Sequence, residues 1–178
     1  MIDIKEAEKH LNLLDPLAID FTFQTYDDNA DRNDKYLSHI LHGCLDEHAD
    51  QLAEFNKRGA AVSVVANTTD LKGRRKENIV EVRAFWIEDD HNSNIALPIP
   101  PSFVVESSPN KFHKYFLVHG FSVDEFAPIQ RRLIDDYGSD PNAGDISRVL
   151  RLAGFAHQKV NTKKGLTGKA FTVRIVQS

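Results

Sequence analysis

Cysteine is nearly missing from this chain: Cys44 is the only one in 178 residues. No intramolecular disulfide can form, and no second cysteine exists to build a zinc knuckle or ribbon, so zinc is not expected and a reducing, cytosolic setting is. Long apolar runs are also lacking. Nothing approaches the roughly 20 residues that span a bilayer. The N-terminus, Met1-Ile2-Asp3-Ile4-Lys5, is polar and soon acidic, without the apolar stretch of a secretory signal. Internal repeats, low-complexity segments and His-x-His pairs are absent too. What remains is a chain with 41% hydrophobic and 27% charged residues, the size of one globular domain able to bury a core.

The formal charge of −4 hides a strong polarity. Residues 1–60 hold 13 acids and 6 bases, 61–140 hold 12 and 9, and 141–178 hold 1 and 7. A basic C-terminal third can hold phosphates while the acidic N-terminal third faces away; chance surface composition is the alternative.

Asp3 caps a predicted helix to about Leu14, with Ile4, Ala7, Leu11 and Leu14 at helical spacing. A strand is expected from Ala18 to Gln24. A long helix is expected from about Asn33 to Lys57, closed by Arg58-Gly59. Ala60 to Ala66 reads as a buried strand, Asn67 to Asn78 as a mobile basic loop, and Ile79 to Glu88 as a strand broken by Asp89-Asp90-His91-Asn92. Ser102 to Ser107 and Phe112 to Val118 form a hairpin through Ser108-Pro109-Asn110-Lys111. Ser122 and Glu125 make a capping box for a helix to Tyr137, and Ala170 to Val176 is a last strand. The class is α+β: about 1–60 as an αβ scaffold portion and about 61–178 as a sheet-bearing portion of a single domain.

Three constellations carry chemistry. Along a strand, Glu88 and Asp90 project from one face and Asp89 from the other, provided the strand persists to Asp90. Converging carboxylates suit Mg²⁺ or Mn²⁺, and a metal pair about 4 Å apart serves phosphoryl transfer; a solvated acidic turn is the plainer reading. In the hairpin, His113 lies between Lys111 and Lys114 and shares a face with Tyr115, a place where imidazole and ammonium groups can meet a triphosphate. A structural histidine is the alternative. In the segment Asp145-Ile146-Ser147-Arg148-Val149-Leu150-Arg151, followed by Lys159, stands the one acid that residues 141–178 hold among seven bases, either as a third metal ligand or as a cap paired with Arg148. Lys72, Arg74, Arg75 and Lys76 can contact a nucleic-acid backbone through its phosphates, or simply be solvated.

In this order and spacing, the segments from about Asn67 to Val176 resemble the primase domain of RepB-like plasmid and phage replication proteins, within the archaeo-eukaryotic primase (AEP) superfamily. Glu88-Asp89-Asp90 looks like its acid-x-acid motif, Ser108 to His113 like its small-residue-to-histidine motif, and Asp145 like its third acid. Arg148 to Phe155 resembles its arginine-rich segment. Glutamate replaces the usual aspartate at 88, and Ala153 stands where proline is common. The resemblance implies a two-lobed primase core with an RRM-like palm, a mixed or antiparallel sheet backed by helices. It implies templated nucleotidyl transfer with two Mg²⁺ or Mn²⁺ ions held by Glu88, Asp90 and Asp145, and with NTPs or dNTPs as substrates. Phosphate contacts fall to Ser108, Lys111, His113, Arg148, Arg151 and Lys159. A single-stranded DNA template is the expected partner, with a separately encoded helicase or initiator beside it. Two alternatives stand: a catalytically weak single-stranded nucleic-acid-binding module of the same fold, suggested by Glu88, and a rolling-circle or relaxase-type endonuclease, which the missing His-x-His pair disfavours.

Overall fold

The computed structural model describes residues 2–91 and 95–178, so Asn92, the last residue of the expected break after the acidic strand, lies outside them. Helix α1 (Ile4–Leu14) starts where the Asp3 carboxylate accepts the Glu6 N–H and buries Ala7, His10, Leu11 and Leu14. Strand β1 (Phe21–Asp27) begins three residues later than the sequence pattern suggests, because Asp15 Oδ1 accepts the N–H groups of Leu17 and Ala18 and holds 15–18 as a turn.

The single helix expected over 33–57 is three elements: a 3₁₀ turn (Lys35–Leu37), strand β2 (His39–Gly43) and helix α2 (Leu45–Lys57). Gly43 divides them. Its φ of 135° suits glycine alone, and a Cβ there would stand 2.6 Å from Glu47 Oε2. His39 and His42 therefore sit on a strand rather than a helix.

Strand β3 (Ala60–Val65) is buried along its whole length, as its β-branched run predicts. After the short β4 (Thr68–Thr69), the segment read as a mobile loop is closed by its own hydrogen bonds. The Asn78 amide donates to both Asp70 oxygens while its Oδ1 accepts from Arg75, and Asp70 accepts the Lys72 N–H. Strand β5 (Ile79–Asp89) follows, then the hairpin β6 (Phe103–Ser108) and β7 (Lys111–Phe121), turned by Pro109 and Asn110, whose φ is 60°. Helix α3 (Val123–Tyr137) carries the expected capping box and ends on left-handed Gly138. A 3₁₀ turn (Pro141–Gly144) leads to β8 (Val149–Arg151). Beyond it lie β9 (Ala156–His157), β10 (Val160–Asn161), β11 (Leu166–Thr167), β12 (Phe171–Thr172) and β13 (Arg174–Gln177). The last strand predicted from the sequence is thus split at Val173: β12 pairs with β9, and β13 joins the edge of β6.

Two sheets organise the chain, one in the order β2-β1-β3-β8 and one in the order β13-β6-β7-β5-β4, each antiparallel throughout. A continuous apolar cluster fills the space between them, with Phe23, Val62, Val64 and Leu150 from one and Trp86, Phe103, Val105 and Tyr115 from the other. On α3, Phe126 stacks against Phe85, and the Gln130 amide bonds the backbone N–H and C=O of Trp86 on the open edge of β5. Ser139 does the same for the N–H of Glu88. These side chains stand in for a missing neighbour strand and hold the end of β5 in place.

His10 shows how tightly this interior is closed. It is fully buried, set edge-on to Phe103 and Tyr115, and its Nδ1 accepts the Ala153 N–H at 3.1 Å. Burial first, then the charges of His113 and Arg83, lower its pKa from 6.5 to about 3. The unfolded chain therefore binds a proton that the folded chain refuses. This contribution to stability is complete above the unfolded pKa and is lost as pH falls from 6.5 toward 3, at up to about 1.4 kcal/mol per pH unit. The urea midpoint should drop between pH 7 and 5, and His10→Gln, which keeps an acceptor for Ala153, should flatten that drop; an unchanged slope would count against the assignment.

Candidate active site

Strand alternation decides which acids share a face. Glu88 and Asp90 open into one cavity of about 660 Å³, while Asp89 turns away and pairs with Lys114 Nζ at 2.7 Å. β5 itself ends at Asp89, so Asp90 stands just beyond it, half exposed, with Lys111 Nζ at 3.2 Å. Opposite Glu88 in the register is His113 on β7, itself opposite Val105 on β6.

The other sheet brings the cations. Ala66 N–H bonds Arg148 C=O as β8 pairs with β3, and the Arg148 guanidinium then spans the gap to Glu88, with Nε to Oε1 at 2.7 Å and Nη2 to Oε2 at 2.9 Å. Such a two-pronged bond fixes both groups in orientation as well as distance; it also raises the Arg148 pKa. Burial disfavours the charge of Arg151, but Tyr26 and Asp28 more than offset this and its pKa is raised. His113 is buried and lowered to about 3, by burial first and then by Arg151 and Arg148, so it faces the cavity as neutral imidazole. His157, whose Nδ1 lies 2.7 Å from the Ser107 carbonyl, is lowered to about 4, again by burial and then by Arg151.

The cavity unites most of the residues singled out in the sequence: Glu88, Asp90, Ser108, Lys111, His113, Arg148, Arg151 and Lys159 all line it. Asp145 does not. Its carboxylate accepts the N–H and Oγ of Ser147, fixing the turn before Arg148, and it borders a neighbouring groove with Lys72, Arg74, Arg75 and Lys76. The third acid on the cavity is Asp140, whose N–H bonds the Glu88 carbonyl at 3.2 Å and whose carboxylate caps the 3₁₀ turn of 141–144. Gln24 and Arg74 border both spaces, so groove and cavity are neighbours. Sequence reading also passed over Gln24 and Tyr26 from the N-terminal portion, His157 and Lys169. His39 and His42, on the outer strand of the first sheet, do not line the cavity.

Hard carboxylate donors on one strand face are the right chemistry for a divalent cation; Arg148 holds both Glu88 oxygens and Lys111 pairs with Oδ2 of Asp90. Among the described residues, no three His, Cys, Asp or Glu side chains are gathered closely enough to hold one by themselves. Nor is any described helix long and apolar enough to cross a membrane.

No curated protein matches the chain. Among solved structures, the AEP domain of the primase-polymerase (PrimPol) of cyanophage S-2L superposes with a TM-score of 0.71 at 24% identity, over 98% of this chain and 89% of that one. Primase RepB′ gives 0.71 at 20% identity, over 98% and 56%. The catalytic domain of RepB′ in complex with initiator DNA gives 0.70 at 18%, over 98% and 84%. These likenesses show the fold, that of AEP primases. The model of the RepB DNA-primase N-terminal domain matches residues 45–178, which carry every acid and every cation of the cavity, and the chain belongs to that family.

Proposed function

We propose that this chain catalyses template-directed nucleotidyl transfer in the replication of a plasmid, phage or similar element. One observation carries the reading: the bidentate Glu88–Arg148 bond sets an acid pair of one sheet against an arginine segment of the other, across a cavity of nucleotide size. In the reaction a 3′-hydroxyl attacks the α-phosphate of an incoming nucleotide and pyrophosphate leaves. Glu88 and Asp90, with Asp140 on the same cavity and the phosphate oxygens of the nucleotide completing the ligand set, would hold Mg²⁺ or Mn²⁺, which when bound lowers the pKa of the attacking hydroxyl and neutralises phosphate charge. Arg148, Arg151, Lys111 and Lys159 stabilise the charge on the phosphates, and His113 and Ser108 supply neutral donors to them. Asp145 acts by holding the turn that aims Arg148. The groove of Lys72, Arg74, Arg75 and Lys76 takes the template strand, and its closed hydrogen bonding means that little conformational freedom is lost on binding.

The test is incubation with single-stranded DNA, labelled NTPs or dNTPs and Mg²⁺ or Mn²⁺. Template-dependent product is expected. A second reading, a binding module of the same fold, draws on the fact that both Glu88 oxygens are already taken by Arg148. Single-stranded DNA binding that weakens with salt, indifferent to metal and nucleotide and without product, would favour it.

A further inference from the structure

In the acidic N-terminal third the carboxylate of Asp28 is shut away from solvent. Asp28, just past the end of β1, is 4% exposed, and every bond to its carboxylate comes from Arg151 or Gln158, in segments that line the cavity. Its Oδ1 accepts Arg151 Nη2 at 2.7 Å and its Oδ2 accepts Arg151 Nη1 at 3.1 Å. Oδ2 also accepts the Gln158 N–H at 2.9 Å, and the Asp28 carbonyl accepts the Val160 N–H at 3.0 Å. Residues 158–160 are the root of the strap that runs over the basic end of the cavity and carries Lys159 and Lys169 to it. The strap is tied again at Asn29, which bridges to Val160, and at Asp31, whose carboxylate accepts the Thr162 N–H.

From this we infer that Asp28 is a positioning residue for the phosphate-binding end of the site, acting through Arg151 and the strap root; the inference rests on the nucleotidyl-transfer reading above. Asp28 does not border the cavity and both its oxygens are taken by inward donors, so it is neither a catalytic residue nor a metal ligand. Burying a carboxylate is costly unless its partner and its remaining hydrogen bonds are all supplied, and here they are. What the arrangement secures is direction. The cavity also holds Glu88, Asp90 and Asp140, and an Arg151 without Asp28 has those carboxylates to turn to. Asp28 keeps that charge at the phosphate end, as Glu88 keeps Arg148 at the acid end.

Nucleotide KM and kcat in templated synthesis decide the matter, with nucleotide binding by the intact chain as an independent readout. Asp28→Asn, which places an amide NH₂ against donors, should raise nucleotide KM about tenfold with kcat changed much less, the mark of lost binding rather than lost chemistry. Arg151→Gln should raise it at least as much. Because Asp28 works through Arg151, the double variant Asp28→Asn/Arg151→Gln should match Arg151→Gln within about twofold instead of multiplying the two effects. Should Asp28→Asn not fold, Asp28→Glu, which keeps the charge and displaces it by one methylene, carries the same expectation. An Asp28 variant that shifts the melting temperature alone, with KM at the wild-type value, or effects that multiply, overturns the proposal. A wild-type chain that neither binds nucleotide nor makes product overturns the underlying reading, and this proposal with it.

Discussion

Asp90→Ala should abolish templated synthesis, lowering it by about a thousandfold or more, and should leave the unfolding transition where it was. The loss follows from removing a carboxylate on which charge neutralisation at the reacting phosphate depends. The intact fold follows from position: Asp90 is half exposed beyond the end of β5, and its contact is with a half-exposed lysine. Glu88→Ala should abolish synthesis equally but will not be silent in stability, because Glu88 is buried and its loss strands the Arg148 guanidinium. Glu88→Gln, which keeps the shape and one acceptor, is the better partner for the comparison. Asp140→Asn should lose about as much activity as Asp90→Asn, whereas Asp145→Asn, which disturbs a turn, should retain a substantial part. Near-normal synthesis by Asp90→Ala would remove the acid pair from the mechanism; a larger loss at Asp145 than at Asp140 would move the third carboxylate back to the groove.

That last contrast marks where sequence reasoning reaches its limit. Alternation along β5 was enough to separate Glu88 and Asp90 from Asp89, since side-chain direction on a strand is a local property. The hairpin turn at Pro109-Asn110 and the capping box of α3 were equally local, and both were legible. The place of Asp140 on the cavity was not, because it is brought there by a bond to the Glu88 carbonyl, 52 positions away, and by the 3₁₀ turn it caps. Asp145 drew notice as the lone acid among the bases of residues 141–178 and as the match to the third acid of the family, and neither ground says which way its side chain points.

The misread stretch 33–57 fails for a related reason. Tyr36, Leu37, Ile40, Leu41, Cys44 and Leu45 fit a helical period, but β2 is formed by pairing with β1, and Gly43 is the one local sign of the break. The first 60 residues offered no motif at all. Yet Gln24 and Tyr26 line the cavity and Asp28 anchors Arg151, contacts that exist only once β1 and β8 flank β3 in one sheet.

Arg148→Ala should lower synthesis by about a hundredfold to a thousandfold, the usual scale for losing a fixed donor at a developing charge. The more telling variant is Arg148→Lys. The guanidinium meets both Glu88 oxygens at once, 2.7 and 2.9 Å away, in a planar fork that an ammonium group cannot reproduce. Lysine keeps the charge but not the orientation of Glu88, so activity should return only in part, and the shortfall measures how much of the role of Arg148 is aim and how much is charge. If Arg148→Lys matched the wild type in primer-extension rate, the bidentate bond would be a resting contact without a part in the reaction, and charge alone would account for the residue. Reading the two variants side by side in Mg²⁺ and Mn²⁺ separates these outcomes, because a carboxylate that is charged but poorly aimed should be less damaging with Mn²⁺ than with Mg²⁺, which demands near-ideal octahedral geometry.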